Sequence, residues 1–257
     1  MKYIDYRVVD TIGIVVLNRP EKRNALNFEM VSELKAAFSN LEADEHVKVI
    51  VLRAEGSVFS AGADLKYLED LQRFSYDDNL ADSTHLKELL LQIYTLKKVV
   101  IAEVQGHAIA GGCGLVSVCD FVFSVPEASF GYTEVRIGFI PAIVLVFLLR
   151  KIGEARVKYL TLSGQLITAA EACQLGIVNR IIPSESLAGE VLTFAKNLSI
   201  SNSGEAMKTT KQVIAQVQSM PLDEALSFAA EMNAKSRSSD DCRKGISAFL
   251  RKDKVTW

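Results

Sequence analysis

The sequence predicts an α/β fold, and three observations carry that reading. Apolar strand-like runs alternate with segments of helical period through most of the chain. Two of the runs end in turns built of small residues, Phe59-Ser60-Ala61-Gly62-Ala63-Asp64-Leu65 and Gly106-His107-Ala108-Ile109-Ala110-Gly111-Gly112-Cys113-Gly114-Leu115. From residue 184 onward the pattern is almost entirely helical.

The elements follow in order. Tyr3 to Val9 and Ile12 to Leu17 form a hairpin closed by Asp10-Thr11, with Gly13 nearby. Asn27 is placed to cap a helix over residues 28–41, where Met30, Val31, Leu34, Ala37, Phe38 and Leu41 keep the helical period. Val47 to Leu52 is the next strand and leads into the first small-residue turn. A helix over 83–96 and a strand over 99–104 lead into the second turn, where Gly111-Gly112 opens a short apolar helix. Phe121 to Val125 is a buried strand. Helices over 184–199, 203–218, 221–235 and 239–251 finish the chain, with Ser201-Asn202-Ser203-Gly204 as a linker and Pro221 at a helix start. Residues 1–200 thus read as the core and 201–257 as a helical appendage.

Strand–turn–helix repetition alone also suits a Rossmann-like sheet. Against that, no GxGxxG opens a helix after the first strand, and no acidic ribose ligand follows at the required distance.

Composition narrows the class. Hydrophobic residues make up 49% of the 257, enough for a substantial core. With a net charge of −2 and only short basic clusters (Lys22-Arg23, Arg150-Lys151), nucleic acid is not an expected partner. The most apolar stretch, residues 137–149, is shorter than the ~20 residues of a membrane span, and the N-terminus lacks a signal-peptide block. Cys113, Cys119, Cys173 and Cys242 show no CxxC spacing and read as reduced thiols of a cytoplasmic protein. No His, Cys and carboxylate grouping has metal-ligand spacing, and no Gly-x-Ser-x-Gly elbow is present.

Small residues let backbone N–H groups approach a ligand closely. Two such groups aimed at one carbonyl oxygen stabilise the charge of an enolate or tetrahedral species. The two turns therefore read as halves of one oxyanion hole.

Their neighbourhood resembles the crotonase (enoyl-CoA hydratase/isomerase) superfamily. The matching segments run in the family's order: Asn18 to Leu26, Phe59 to Leu65, Gly106 to Leu115 with Cys119-Asp120, then Ala128 to Val135. Gly138-Phe139-Ile140-Pro141, Leu162-Ser163-Gly164, Ala169 to Ala172 and Leu175 to Val178 complete the series. The resemblance implies a spiral of ββα units with a C-terminal helical region that builds trimers or dimers of trimers. It implies an acyl-CoA substrate and no cofactor beyond the coenzyme A that the substrate carries.

By motif position the resemblance makes Ala63 and Gly111 the two N–H donors and Glu134 the acid/base group. Gly111 also opens a helix, whose positive end favours developing negative charge. Apolar neighbours Val135, Ile137, Phe139 and Ile140 would bury Glu134 and raise its pKa; pairing with Arg136 or a lysine is the structural alternative. Lys22, Arg23 and Ala25 would contact the nucleotide end of CoA. Ala61, Gly62, Asp64, Leu65 and Gly112 would cradle adenine and pantetheine, and Phe249 and Lys252 would reach a neighbouring subunit's CoA. Asp64 could equally cap the following helix. Tyr67 and Tyr132 line the acyl pocket or pack, His107 is structural, and His46 and His85 sit at the surface.

The departure from the family is Gly114, where its hydratases commonly carry a second glutamate. A double-bond shift needs one proton-transfer group, so single-glutamate members include isomerases. Residues 134–144 nevertheless resemble a branch described as bacterial enoyl-CoA or methylglutaconyl-CoA hydratases, although Leu145-Val146-Phe147 replaces its usual Ser-Pro-Tyr. The resemblance thus implies a hydratase first and a 3,2-enoyl-CoA isomerase second. A binding protein that holds CoA thioesters without turnover is the alternative from another class.

Overall fold

A computed structural model describes residues 1–257, apart from the side chain of Leu65. The chain folds as two sheets wrapped by helices. In the first sheet, β1 (Ile4–Val9) and β2 (Ile12–Leu17) form the antiparallel hairpin, closed at Val9↔Ile12 with Asp10 at φ 53°. Helix α1 (Phe28–Ala43) leads from β2 to β3 (Val49–Ala54), which runs parallel to β2. The Asn27 side chain accepts the Met30 N–H at 2.9 Å, a cap of the kind that contributes about 1 kcal/mol. Its buried residues are the six positions of the helical stripe. Strand β3 begins two residues later than the apolar run predicts, because Lys48 still bonds the hairpin turn through Thr11 C=O.

Strands β3, β5 and β7 of this sheet each turn into a short strand of the second, and helices follow. Strand β3 gives way to β4 (Val58–Ser60), α2 (Leu65–Leu71) and α3 (Tyr76–Thr95). Helix α3 starts seven residues before the predicted Ser83. Its first turns carry no apolar stripe, but a Ser75/Asp78 capping box fixes the start. Next come β5 (Val99–Val104), β6 (His107–Ile109) and α4 (Gly111–Val118), then β7 (Phe121–Ser124) and β8 (Ser129–Gly131). The large sheet continues parallel through β3, β5 and β7. The small one pairs β4, β6 and β8 in parallel.

Residues 137–175, for which periodicity predicts no element, add α5 (Ala142–Ile152), α6 (Glu154–Ser163), β9 (Ile167–Thr168) and α7 (Ala169–Leu175). The run that opens α5 is apolar on every side, so it carries no period to read. Strand β10 (Arg180–Ile181) closes the large sheet in the order β1-β2-β3-β5-β7-β10; β9 closes the small one in the order β4-β6-β8-β9. Helix α8 (Ser184–Ser201) packs on β2, β3, β5 and β7. The six residues of β2 and the six of β5 are all buried, as expected for strands covered on both faces. Helices α9 (Gly204–Val217), α10 (Leu222–Arg237) and α11 (Asp240–Arg251) complete the chain. No helix among the described residues is long and apolar enough to cross a membrane.

This is the spiral of ββα units that the resemblance implies, not a Rossmann sheet. Its consequence for function is positional: β4, β6 and β8 run parallel, so the turns that leave their C-terminal ends open on the same side of the small sheet.

Candidate active site

The first junction is held by the segment before α1. Arg23 and Asn24 take left-handed backbone angles, φ 52° and 51°. Asparagine tolerates that region better than most residues. The fully buried Asn24 side chain accepts the Arg19 N–H at 2.8 Å and donates to the carbonyls of Glu55 and Val58, each at 2.8 Å. The segment then pairs with the turn. Ala61 N–H donates to Arg23 C=O at 3.0 Å, Leu26 N–H to Gly62 C=O at 2.6 Å, and Asp64 N–H to Leu26 C=O at 2.9 Å. In this bridge Gly62 C=O and Asp64 N–H face Leu26, so the Ala63 N–H points the other way. It meets no acceptor among the described residues.

Asp64 caps α2 by accepting the Lys66 N–H at 2.9 Å, and it pairs with Arg19 at 2.7 Å; both side chains are about nine-tenths buried. Burial pushes its carboxyl up, but the Tyr67 amide, the Arg19 guanidinium and the Lys66 amide outweigh it and hold the pKa below the ordinary value. Arg19, unassigned from sequence, is therefore a structural anchor of the first turn.

At the second junction Ala110 sits at φ 51° and ψ −122°, a strained position for a residue with a Cβ. Its N–H donates to Gly131 C=O at 2.8 Å. Gly111 is the first residue of α4, so its N–H has no intrahelical partner. No other acceptor reaches it among the described residues.

The two junctions touch. A Cβ placed on Gly62, whose φ is 90°, would stand 2.8 Å from Ala110 Cβ, 3.0 Å from Ile109 O and 3.4 Å from Gly111 N. One on Gly111 would stand 3.4 Å from Leu26 Cδ1 and 4.0 Å from Gly62 Cα. One on Gly112 would meet Ser60 O at 2.5 Å. Glycine is thus required for the contact between the two turns that carry the free Ala63 and Gly111 amides.

Glu134 enters from β8, which pairs with β6 at Ala108↔Phe130 and Ile109↔Gly131. Its Oε2 is buried without a hydrogen-bond partner, and it forms no ion pair among the described residues. Burial raises its pKa, and only its own backbone amide works against the shift. Two residues upstream, the Tyr132 hydroxyl donates to Cys113 C=O at 3.4 Å, which brings this end of β8 to the first turn of α4. The cause of the Glu134 burial differs from the sequence expectation. Ile137, Phe139 and Ile140 are exposed at 70%, 53% and 65%, so they cannot shield it.

Other expectations sort themselves by position. Lys22 and Arg23 are exposed on the segment that pairs with the first turn, and Ala25 is buried, its carbonyl accepting from Arg19 at 3.0 Å. The Leu65 side chain lies outside the described residues. Tyr132 packs in the core, its hydroxyl 3.4 Å from Cys113 C=O. Tyr67 donates to Asp82 and so ties α2 to α3. His107 accepts the Ser129 N–H at 3.1 Å, a structural contact. His85 stacks on Phe28, with centroids 4.2 Å apart. Phe249 and Lys252 project from α11, which packs on α10. Neither bonds to the Arg19–Leu26 or Ala61–Asp64 segments among the described residues.

The absence of a side chain at Gly114 has a physical counterpart. A Cβ there would stand 2.3 Å from Val144 Cγ1 and 3.3 Å from Val144 Cβ. Valine is stiff at χ1 in a helix and cannot easily swing aside. Gly114→Ala should therefore destabilise the fold by about 1–3 kcal/mol. Adding Val144→Ala should return part of that loss, so that the double variant is more stable than the two single effects sum to. Chemical denaturation of the four proteins measures the coupling; strict additivity would mean the contact is not there.

Comparison with known proteins identifies the family. The family model for enoyl-CoA hydratase/isomerase matches residues 7–257. A Thermus thermophilus protein named "Putative enoyl-CoA hydratase" is 41% identical over 241 residues, covering 94% of this chain and 95% of its own. The mitochondrial enoyl-CoA hydratase of Pongo abelii is 34% identical over 251 residues, with 96% and 84% covered. The crystal structure of an enoyl-CoA hydratase from Shewanella pealeana superposes with a TM-score of 0.93 at 28% identity, covering 99% of this chain and 96% of the other.

Proposed function

The chain belongs to the enoyl-CoA hydratase/isomerase family, and from that premise we propose that it hydrates a 2-enoyl-CoA thioester with Glu134 as its single carboxylate. The observations that carry the reading are two amides without partners, Ala63 and Gly111, on turns that touch, and a buried carboxylate oxygen without a partner, Glu134 Oε2, two residues after the tyrosine whose hydroxyl reaches Cys113 C=O. Donors already aimed at a point need no reorganisation when charge develops there.

In the proposed reaction the thioester carbonyl oxygen accepts from Ala63 N–H and Gly111 N–H. Glu134 takes a proton from a water molecule as its oxygen bonds the β-carbon. The double-bond electrons move toward the carbonyl oxygen, giving an enolate that the two amides hold. Glu134 then returns the proton to the α-carbon, so the net change is addition of one water. A carboxyl whose pKa burial has raised suits a group that must both take and give. Lys22 and Arg23 would meet the CoA phosphates, and Ala25, Ala61, Gly62, Asp64, Leu65 and Gly112 form the surface under adenine and pantetheine. Coenzyme A enters with the substrate, and the steps drawn use no other cofactor.

A second reading is favoured by Val144 over Gly114, which leaves no room for a second carboxylate. In it Glu134 removes a proton from the α-carbon of a 3-enoyl-CoA and returns it to the γ-carbon. A panel of 2-enoyl- and 3-enoyl-CoA thioesters separates the two. Water gain on the 2-enoyl substrate, read by mass, supports hydration. A shift of retention without a change of mass makes the chain an isomerase. Binding of both without turnover makes it a thioester-binding protein and sinks both readings.

The surface supports an oligomer built through residues 201–257, a homotrimer or dimer of trimers. Leu222, Leu226, Ile246, Phe249 and Leu250 on α10 and α11 are all more than half exposed, an apolar load that a monomer would leave in water. In such an assembly Phe249 and Lys252 would face a neighbour's CoA. The free thiols of Cys113, Cys119, Cys173 and Cys242 support a reducing, cytoplasmic setting.

A further inference from the structure

We propose that Ser60 is a positioning residue: its hydroxyl fixes the turn that aims the Ala63 N–H and ties that turn to the Lys22–Ala25 segment, so that the nucleotide end of the substrate helps to set the oxyanion hole. The inference rests on the reading that Lys22 and Arg23 meet the CoA phosphates and that the Ala63 and Gly111 amides hold the thioester carbonyl.

Ser60 ends β4 and is fully buried. A hydroxyl can donate and accept at once, and this one does both. It donates to Asn24 C=O at 2.8 Å and accepts the Gly62 N–H at 3.3 Å. The same residue abuts the second turn: a Cβ on Gly112 would stand 2.5 Å from Ser60 O and 2.7 Å from Ser60 Cβ. Ser60 therefore meets the segment before α1, the first turn and the start of α4.

The bond to Gly62 matters because of where it acts. The Ala63 N–H belongs to the planar peptide unit that also carries Gly62 C=O, so its direction follows the backbone angles of Gly62. Glycine at φ 90° has no Cβ to restrict those angles, and its neighbours must fix them. Leu26 N–H holds the peptide after Gly62, through Gly62 C=O at 2.6 Å. Ser60 Oγ holds the peptide before it. Removing the hydroxyl releases one of these two holds and takes a partner from two backbone groups, the Gly62 N–H and the Asn24 C=O.

The hydroxyl also joins the first turn to the exposed basic residues. Three bonds run from residues 23 and 24 to β4 and its end: Asn24 Nδ2 to Val58 C=O at 2.8 Å, Ala61 N–H to Arg23 C=O at 3.0 Å, and Ser60 Oγ to Asn24 C=O. Of the three, only the hydroxyl bonds Gly62 as well. Contacts made at Lys22 and Arg23 are thus passed to the residue before Ala63. Binding energy from a remote part of a substrate is used at the reacting centre by links of this kind.

The test compares wild type with Ser60→Ala and Ser124→Ala. Ser124 is a second fully buried serine, at the end of β7 in the large sheet, and its hydroxyl donates to Val125 C=O at 3.0 Å. Turnover is measured on a four-carbon 2-enoyl-CoA and on the matching pantetheine thioester, which lacks the nucleotide. Ser60→Ala should lower kcat on the CoA thioester about ten-fold, the scale of one lost hydrogen bond, and lower kcat on the pantetheine thioester by no more than about two-fold. The ratio of the two rates should fall accordingly, while Ser124→Ala keeps the wild-type ratio. Amide hydrogen exchange at Gly62 and Ala63 is followed with butyryl-CoA or butyryl-pantetheine bound. In wild type the CoA thioester should slow exchange more than the pantetheine thioester does, and Ser60→Ala should erase that difference. A folded Ser60→Ala protein that keeps the wild-type ratio, or the wild-type exchange difference, and only melts lower would make Ser60 a packing residue and overturn the inference. Equal exchange with the two thioesters in wild type would overturn it too. If no protein in the set, wild type included, turns over either thioester, the hydration reading falls, and the exchange difference alone upholds or overturns the role of Ser60.

Discussion

Glu134→Gln should lower kcat/KM for 2-enoyl-CoA hydration by about 10²- to 10⁴-fold, the usual worth of a positioned acid/base group. Gln keeps the size of the side chain and cannot carry the proton. Acyl-CoA binding, which the proposed reading rests on the amides and on Lys22 and Arg23, should change little. The same variant gives a pH test with a defined sign. Burial raises the Glu134 pKa above its ordinary 4.5. In wild type the acid limb of kcat/KM should therefore fall at a pH above that of an ordinary glutamate, because protonation removes the base. Stability runs the opposite way. A carboxyl with a raised folded pKa adds stability below the unfolded value, and that contribution is lost as pH rises through the folded value. Glu134→Gln escapes this loss, so it should melt higher than wild type at neutral pH, and the gap should close below pH 4.5. Paired melting curves across pH measure the gap. A variant that hydrates normally would remove Glu134 from the reaction, and one no more stable at neutral pH would contradict the buried carboxylate.

Much of this architecture is legible in the sequence wherever the cause is local. The six apolar positions of α1 are its six buried residues. Strand β5 has the predicted bounds, and Gly111 opens α4. These features follow from a period, a cap and a uniform apolar run, each readable within a window. The turns were readable because small residues in that spacing, set in the family's order, have few other uses. What escaped the reading is long-range. The buried Arg19–Asp64 pair joins residues 45 apart in the chain, as the two numbers give. The only local hint was an arginine directly before a proline. The contact of Val144 with Gly114 depends on how α5 lies on α4, and an all-apolar helix does not announce which side faces in. The same blindness misassigned the shielding of Glu134: Ile137, Phe139 and Ile140 are its neighbours in sequence but point to solvent.

The contact between the two turns yields the second large effect. Gly62→Ala should reduce kcat about 10²-fold, the cost of a misplacement near 1 Å at the reacting centre or of one lost oxyanion donor. The argument is steric at every step. Gly62 has φ 90°, which strains any residue with a Cβ, and the added methyl would lie 2.8 Å from Ala110 Cβ and 3.0 Å from Ile109 O. Neither neighbour can rotate away: one is a methyl fixed to the backbone, the other a backbone carbonyl. The junctions must therefore part, and the Ala63 amide, one residue on, moves with the first of them. The added strain costs about 1–3 kcal/mol of stability, so the kinetics belong at a temperature where the variant is fully folded. Gly189→Ala is the comparison. That glycine lies inside α8 with nothing within 4 Å of its built Cβ, so the change should add about 0.5–1 kcal/mol and leave kcat alone. Loss of kcat in Gly62→Ala with acyl-CoA binding largely retained would identify an interaction made in the transition state. A folded Gly62→Ala protein that turns over at the wild-type rate would mean the two amides do not act as one site. Glu134 would then be working without the oxyanion hole on which the proposed chemistry depends.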